Sequence, residues 1–334
     1  MRRIPFAKLQ EALIAALLKL GFEPARARLC ARLFAETTCD GVYTHGIDRF
    51  PRFVAMIRNG NINVNASPEI KASFGALERW DGRMGPGNLN AYGSMERAMT
   101  LSREHGVGCV ALRNTNHWMR GGTYGWQAAE ANLIGICWTN TLPNLPAWGG
   151  VDACLGNNPI IVAVPRKNGH VVLDMAMSQF SYGALAGYRS RHEMLPFDGG
   201  FDVEGNLTRD PAAIENSQRP LPIGYWKGSG LALVMDMIAA MVSLGNATHK
   251  LSSDPLQESG ISQIFLAINP AALGSAAALL QIADDVIASL HRSIPAEEGE
   301  SVRYPGEKTL ETRAENLAMG VPVEDAIWAQ IVSE

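Results

Sequence analysis

Long apolar runs, cysteine pairs and a surplus of positive charge are all missing from this chain of 334 residues. No stretch of about eighteen consecutive apolar residues occurs, so no membrane-spanning helix is predicted. Residues 6–20 carry Lys8, Glu11 and Lys19, which interrupt any leader-like apolar core. The net charge of −4 argues against a nucleic-acid binder that relies on bulk positive charge. Five cysteines without a Cys-x-x-Cys pair favour reduced thiols in a cytoplasmic protein.

The short motifs of common nucleotide and metal sites are absent too. There is no Gly-x-x-x-x-Gly-Lys-Ser/Thr phosphate loop and no His-Glu-x-x-His. The nearest match to a dinucleotide fingerprint begins at Gly106-Val107-Gly108. It follows a predicted helix end and opens a strand, whereas the fingerprint needs a strand followed by a helix. A metal centre would require scattered ligands, and none is predicted.

The composition that remains, 47% hydrophobic and 19% charged, is that of a globular protein with a large core. Before about residue 75, leucines at helical spacing, the stop at Gly21 and the start at Pro24 predict two helices. Beyond it, short β-rich runs alternate with turns and helices. The predicted strands are 107–112, 134–139, 160–164, 171–175 and 261–268, and the predicted helices are 124–131, 230–244, 272–290, 310–319 and 323–332. Residues 196–222 are predicted to form a long surface excursion.

The first candidate site is the run Thr44-His45-Gly46-Ile47-Asp48-Arg49. Histidine exchanges a proton near neutral pH, and the glycine beside it leaves room for a substrate. Arg49 would share a face with His45 if the stretch were helical, and a guanidinium can bind a carboxylate through two hydrogen bonds. This combination suits reduction of a 2-oxo acid. The alternative is a surface histidine beside an arginine paired with Asp40 or Asp48.

Two further candidates lie at predicted strand ends. His117 follows a strand and could contact a ligand, cap the next helix or bond within the core. Asp174 ends an apolar strand, where an unpaired carboxylate is costly. It could serve an imidazole or a ribose hydroxyl, or it could cap the residues that follow.

The fourth candidate is Tyr225-Trp226-Lys227-Gly228-Ser229-Gly230, just before the predicted helix 230–244. A lysine and free backbone N–H groups at a helix start can bind an anion such as a pyrophosphate. A flexible helix start with a solvated lysine is the alternative.

Several of these runs resemble the malate/L-lactate dehydrogenase family, which is unrelated to the Rossmann dehydrogenases. The resemblance rests on GVYTHGIDRFPRF (41–53), RNTNHWMRGG (113–122), WTN (138–140) and LDMA (173–176), and it extends through 180–183, 198–202, 224–230 and 260–265. It covers essentially the whole chain. Thr44 stands where serine is frequent in the family and keeps the hydroxyl, whereas segments 142–150 and 305–309 depart from the family pattern.

The resemblance implies an α/β fold with a three-layer mixed sheet and a helical domain formed by both termini. Residues 1–75 and 300–334 would form that helical domain, which carries His45, and residues 76–299 would form the cofactor-binding domain. His45 would be the proton donor, Arg49 the carboxylate-binding arginine and His117 a second active-site histidine. Cofactor contacts are implied for Asn140, His170, Val171, Val172, Leu173, Asp174, Met175, Ala176, Trp226, Lys227, Gly306, Glu307 and Lys308.

The function implied is reduction of a ketone of 2,3-diketo-L-gulonate with NADH, in a homodimer whose site lies near the subunit contact. NADPH stays open, because a ribose hydroxyl favours a carboxylate and a 2′-phosphate favours arginine, and Arg166, Lys167 and Glu307 offer both. Malate, lactate, ureidoglycolate and piperideine-2-carboxylate are alternative substrates for the same His and Arg. A hydrolase or lyase with a metal on His45, His117 and Asp174, and a non-catalytic anion binder built around Lys227 and Arg49, are alternatives of other classes.

Overall fold

A computed structural model describes residues 2–297 and 299–334 of the chain. The helices in those residues are α1 (Phe6–Lys19), α2 (Pro24–Cys39), α3 (Phe50–Arg58), α4 (Gly87–His105), α5 (Gly122–Glu130), α6 (Tyr182–Ser190), α7 (Pro211–Ser217), α8 (Trp226–Ser243), α9 (Ala276–His291), α10 (Glu307–Met319) and α11 (Asp325–Ser333). The strands are β1 (Arg2–Ile4), β2 (Glu69–Phe74), β3 (Leu77–Asp81), β4 (Val107–Asn116), β5 (Ile134–Thr139), β6 (Leu145–Pro146), β7 (Ala153–Leu155), β8 (Ile160–Val164), β9 (Val171–Met175), β10 (Gly200–Phe201), β11 (Leu207–Thr208), β12 (Ser259–Ile268) and β13 (Val321–Val323).

The central sheet has the strand order β2-β3-β4-β12-β5-β8-β9. Only β3 and β4 pair in parallel among these strands, so the sheet is mixed. Alternation along β4 sends Val110 and Leu112 to the face covered by α4 and α5, and Ala111 to the face covered by α8. Three layers result, as the resemblance implied, and β9 is left as an edge strand.

A second hydrophobic cluster lies beside the sheet and is built from both ends of the chain. Leu9, Leu13 and Leu17 of α1 pack with α2 and α3 and with Trp328 and Ile331 of α11. The antiparallel pair β1–β13 joins the termini through partners such as Ile4 and Val321. Two clusters are compatible with the proposed domain limits, which stay a prediction.

The strands predicted at 134–139, 160–164 and 171–175 are confirmed residue for residue as β5, β8 and β9. The prediction of a helix at 323–332 is wrong at its start, because β13 ends at Val323 and α11 begins at Asp325. The apolar helix begins at Trp226 instead of 230, so the Trp226-Lys227-Gly228 run is its first turn. The excursion 196–222 contains the hairpin β10–β11 and α7.

Sequence reasoning gave no bounds for α4, although this helix packs directly on β4. Its buried face consists largely of small and polar residues, including Ala91, Ser94 and Ala98, which produce a weak helical pattern. The reason is close contact: a Cβ atom on Gly108 of β4 would lie 2.1 Å from the carbonyl oxygen of Ala98. The helix and the strand therefore touch through backbone, and large apolar side chains are excluded there.

No helix within residues 2–297 and 299–334 combines the length and the apolar character that crossing a bilayer requires.

One buried ion-pair network joins three distant segments. The carboxylate of Asp40, at the end of α2, accepts a hydrogen bond from Nη1 of Arg120, just before α5. It also accepts hydrogen bonds from Arg313 of α10, from Nε at 2.6 Å and from Nη2 at 2.8 Å. Asp40 and Arg120 are both buried. Their charges therefore depend on each other for compensation, since an unpaired buried ion is costly.

We expect Asp40→Asn to lower the free energy of unfolding by about 3–5 kcal/mol, because it leaves two arginines without their carboxylate. Urea denaturation followed by circular dichroism measures the change. Asp325→Asn is the matched control, since Asp325 pairs with Arg2 at 3.2 Å in the open. That control should cost at most about 1 kcal/mol. Equal effects of the two substitutions would contradict the importance assigned to the network.

Candidate functional site

His45 lies on a tight connection between α2 and α3. The connection consists of two 3₁₀ turns, Tyr43–His45 and Ile47–Arg49, so the α-helical face considered for His45 and Arg49 does not exist. Gly46 separates the turns because a Cβ there would lie 2.5 Å from Oγ1 of Thr38 and 2.9 Å from its backbone nitrogen. Thr38 in turn accepts a hydrogen bond from the backbone of Ile47 at 2.9 Å. Helix α2 therefore fixes the position of His45.

His117 comes directly after β4 and meets His45 across the cleft. The two imidazole rings stack with centroids 5.9 Å apart and planes inclined by 25°. Nδ1 of His117 accepts a hydrogen bond from the backbone N–H of Met119 at 3.0 Å, so a neutral ring carries its proton on Nε2. Oγ1 of Thr44 lies 3.1 Å from Nδ1 of His45. The structure thus brings three predicted site residues together.

Both imidazoles favour the neutral form. The surrounding protein removes water from His45, and Arg49 and Arg120 repel its positive form, which together lower its pKa from 6.5 to about 4. The pKa of His117 is also lowered, first by burial and then by Arg49, His45 and Arg52. His45 and His117 are both half-buried residues, so a substrate can still reach them.

Arg49 lies beside the two histidines and is held by a residue that sequence reasoning missed. Nη2 of Arg49 donates to Oε2 of Glu258 at 2.5 Å, and Nη2 of Arg52 donates to the same oxygen at 2.9 Å. Glu258 is buried and precedes β12. It lies 209 positions from Arg49 in the chain, and no local motif marks it. Only the tertiary structure reveals this contact.

Asp174 is the fourth residue of β9. Its carboxylate caps helix α5, and not the residues that follow Asp174, which was the alternative considered from the sequence. Oδ2 accepts a hydrogen bond from the backbone N–H of Gly122, the first residue of α5, at 2.7 Å. Loss of surrounding water raises the pKa of Asp174, while Arg120 and the Gly122 N–H act in the opposite direction. Neither imidazole is its hydrogen-bond partner among the described residues. Arg120, also missed from sequence, lies close enough to influence both Asp174 and His45.

The residues expected at the cofactor gather along the edge strand β9. The backbone N–H of Val172 donates to the carbonyl of Pro305 at 2.8 Å, which brings the loop before α10 against the strand. Gly306 in this loop has φ +97°, and a Cβ there would lie 3.2 Å from the Val172 nitrogen. His170 sits at the strand start with its ring 5.8 Å from that of Trp126. The segment His170 to Ala176 and the start of α10, with Glu307 and Lys308, are therefore neighbours.

Trp226 and Lys227 form the first turn of α8, with both side chains exposed. Tyr225, just before them, has φ +60°, an uncommon conformation for a bulky residue and one that is frequent at binding sites. The backbone N–H groups of residues 227–229 already donate hydrogen bonds to carbonyl oxygens at or just before the helix start. An anion at this turn would therefore depend mainly on the exposed side chain of Lys227.

Asn140 does not belong with these residues. Its side chain is fully buried, and Nδ2 donates to Asp236 at 2.8 Å and to the carbonyl of Asn246 at 2.7 Å. Its Oδ1 accepts from the backbone of Ser262 at 2.8 Å. These bonds give the side chain of Asn140 a structural role, and a cofactor contact at this position stays a prediction.

The described residues offer no ligand set for the metal-dependent alternative. Within the described residues, no cluster of three or more His, Cys, Asp and Glu side chains is arranged to hold a metal ion. His45 and His117 stack on each other, and Asp174 is bonded to the start of α5.

Known proteins share both the sequence and this architecture. The profile of the family described as malate/L-lactate dehydrogenase matches residues 4–332. A 2,3-diketo-L-gulonate reductase of Klebsiella pneumoniae (strain 342) is 47% identical over 332 residues, which is 98% of this chain and 99% of that protein. Sulfolactate dehydrogenase of Methanocaldococcus jannaschii superposes with a TM-score of 0.91 at 28% identity, over 99% of this chain and 95% of that one. Malate dehydrogenase of Pyrococcus horikoshii OT3 gives 0.89 at 26% identity, over 98% and 93%.

Fold, sequence and relatives together define an enzyme of the oxidoreductase class, which works with a nicotinamide cofactor. The chain belongs to the malate/L-lactate dehydrogenase family.

We expect Arg120→Gln to raise the pKa of His45 by about one unit, because it removes one of the two positive charges that disfavour the imidazolium. NMR of the labelled histidine rings, of which the chain has seven, follows the titration directly. Arg28→Gln, a change at an exposed position of α2, is the control and should leave the pKa at about 4. An unchanged pKa in Arg120→Gln would show that burial and Arg49 set the value without Arg120.

Proposed function

We propose that this enzyme reduces 2,3-diketo-L-gulonate to 3-keto-L-gulonate with NADH, as a cytoplasmic homodimer. The observation that carries the chemistry is the stacked His45–His117 pair beside Arg49. The substrate is proposed from the reductase that is 47% identical over nearly the whole chain. Unpaired thiols at all five cysteines are compatible with a reducing compartment.

Arg49 would bind the C1 carboxylate of the substrate. Its side chain is partly exposed and uses Nη2 for Glu258, which leaves other N–H groups of the guanidinium for a ligand. A carboxylate held there fixes the orientation of the neighbouring ketone relative to the two imidazoles. Position is therefore the main contribution of Arg49.

His45 would give a proton to the carbonyl oxygen as negative charge develops on it. In the free site its pKa of about 4 keeps it neutral at pH 7. A bound carboxylate offsets the charge of Arg49, so binding of the acid raises this pKa and favours the proton donor. The Thr44 hydroxyl orients the ring from its Nδ1 side. His117, with a proton on Nε2, is placed to donate a hydrogen bond to the same substrate.

The cofactor would lie along β9, with Gly306, Glu307 and Lys308 on one side and the first turn of α8 on another. The fit rests on Gly306, whose φ of +97° and close approach to the Val172 nitrogen disfavour a side chain, and on the exposed Lys227 at the start of α8. When bound, NADH supplies the hydride that reduces the carbonyl carbon. The protein contributes orientation and the proton.

NADH is proposed over NADPH because Arg166, an arginine that could have bound a 2′-phosphate, is already engaged. Nε of Arg166 donates to Asp284 at 2.7 Å, and its guanidinium lies 5.0 Å from the centre of the Tyr304 ring. A 2′-phosphate favours a free arginine.

The homodimer is proposed from an apolar stripe on α8. Val234, Met237 and Met241 recur at helical spacing on its outer side, and about half or more of each side chain is exposed. Such a contiguous apolar surface is unusual for a monomer and typical of a protein interface. Because α8 also begins beside the proposed cofactor, a second copy on this stripe would lie close to the site.

The decisive test is nicotinamide absorbance with purified enzyme and NADH. We expect oxidation of NADH with 2,3-diketo-L-gulonate and little with pyruvate, oxaloacetate or piperideine-2-carboxylate. Preference for another of these acids would change the assigned substrate and keep the same mechanism. Silence with every acid, with NADPH as well as NADH, would contradict the proposed function.

We expect His45→Ala to lower kcat by about 10²–10⁴-fold, the usual contribution of a positioned proton donor. The dissociation constant of NADH, measured by fluorescence titration, should stay unchanged because the cofactor contacts lie elsewhere. His105→Ala, at the exposed end of α4, should change neither quantity. Lost NADH binding with turnover intact would refute the assignment of His45.

We expect Met241→Asp to dissociate the dimer, because it places a charge in the apolar contact. Light scattering coupled to size-exclusion chromatography reports the mass. Phe74→Asp on β2 is the control, since Phe74 is even more exposed but lies away from α8, and the dimer should persist. A monomeric wild-type enzyme, or a dimer that resists Met241→Asp, would argue against the stripe.

A further inference from the structure

Glu258 places one buried negative charge between two arginines at the substrate end of the cleft. Its Oε2 accepts from Arg49 at 2.5 Å and from Arg52 at 2.9 Å. The carboxylate side chain is only 8% exposed, whereas Arg49 and Arg52 are 18% and 26% exposed. The arginines therefore face the cleft with their charges partly compensated from behind.

The two arginines depend on Glu258 to different degrees. Arg52 is also anchored by the carbonyl of Pro255, which accepts hydrogen bonds from Nε at 2.9 Å and from Nη2. For Arg49, the bond to Glu258 is the only hydrogen bond of its guanidinium within residues 2–297 and 299–334. Glu258 therefore orients Arg49 in particular.

The charges around Glu258 add up to a single positive one, apart from Arg120, whose charge is paired with Asp40. Arg49 and Arg52 contribute two positive charges and Glu258 one negative charge. His45 and His117 contribute none at neutral pH, because burial and the arginines lower the pKa of each. Asp254 lies near Arg52 but is exposed, so solvent screens it. One bound carboxylate would neutralise the pocket.

We propose that Glu258 is a specificity-determining residue, which sets the pocket to accept 2-oxo acids with one carboxylate and to disfavour those with two. This inference rests on the proposed function, since it assumes that Arg49 binds the substrate carboxylate. A second carboxylate in the pocket finds no uncompensated arginine and lies near the buried charge of Glu258. Repulsion between like charges is strong where protein excludes water.

The test compares two anions of nearly the same shape, oxamate with one negative charge and oxalate with two. Their dissociation constants are measured by calorimetry on the enzyme saturated with NADH. We expect Glu258→Gln, which keeps the shape and removes the charge, to shift the preference towards oxalate by about tenfold. The shift should shrink as ionic strength rises, because salt screens charge but not shape.

Arg52→Gln provides the opposite change, since it removes a positive charge and leaves Glu258 in place. The preference should then move towards oxamate by about tenfold. The double variant Arg52→Gln/Glu258→Gln restores a single positive charge, and its preference should return close to that of the wild type. If Glu258→Gln does not fold, Arg52→Gln and the double variant still decide the question.

The proposal is overturned if the preference is unchanged in the variants, if both single variants shift it in the same direction, or if neither anion binds any variant. A purely structural role for Glu258 would weaken both anions equally and leave their ratio untouched. Turnover of 2,3-diketo-L-gulonate by the wild type is measured separately. Failure of that reaction would refute the proposed substrate while the anion preference still reports on Glu258.

Discussion

Asp40 lies where three parts of the chain meet, and its buried carboxylate sets their relative positions. It lies at the end of α2, the helix that leads into His45. It binds Arg120, which is 80 positions from Asp40 in the chain and shortly after His117. It also binds Arg313 in helix α10, which starts at the proposed cofactor loop. A buried carboxylate with two buried or half-buried arginines tolerates little displacement, because each charge would lose its compensation. The imidazole pair and the cofactor loop are thereby held in one arrangement.

The same positive charges act on the site in two ways. Arg49 and Arg120 lower the pKa of His45, and Arg49 and Arg52 help to lower that of His117. Under the proposed function, the proton donor would therefore stay neutral until an anion arrives. A bound carboxylate would compensate Arg49 and favour the protonated ring, so recognition of the substrate and readiness for proton transfer would be coupled through electrostatics.

Two features of the sheet region leave groups uncovered within residues 2–297 and 299–334. There, the edge of strand β9 is met at Val172 by the loop at Pro305, and helix α8 carries exposed apolar side chains along its outer side. Unpaired backbone groups and exposed apolar surface are both unfavourable in water. A cofactor along β9 and a second copy against α8 would satisfy them, and both would meet near the first turn of α8.

Local pattern was enough for much of the fold. Continuous β-rich runs predicted β5, β8 and β9 at their observed limits, because these strands are apolar and bounded by turns. The family resemblance correctly implied a mixed sheet in place of a Rossmann domain, which accounts for the missing glycine fingerprint. The bounds of helix α4 could not be predicted, because its backbone packs closely on Gly108. Small residues therefore stand where large apolar residues would have shown a helical pattern. The helical face considered for His45 and Arg49 does not form, because the backbone at Gly46 packs closely against Thr38.

By itself, the sequence determined which residue types were available for chemistry, His45, Arg49 and His117 among them, and the family motifs in which they stand. Tertiary structure alone decided their partners. No local motif marks Glu258, and the family motif around Arg120 does not reveal its role, since both roles depend on contacts across 209 and 80 positions. Asn140, prominent in a family motif, proved to be buried and fully bonded. The reason is physical: periodicity reports on neighbours along the chain, whereas charge compensation and pKa depend on neighbours in space.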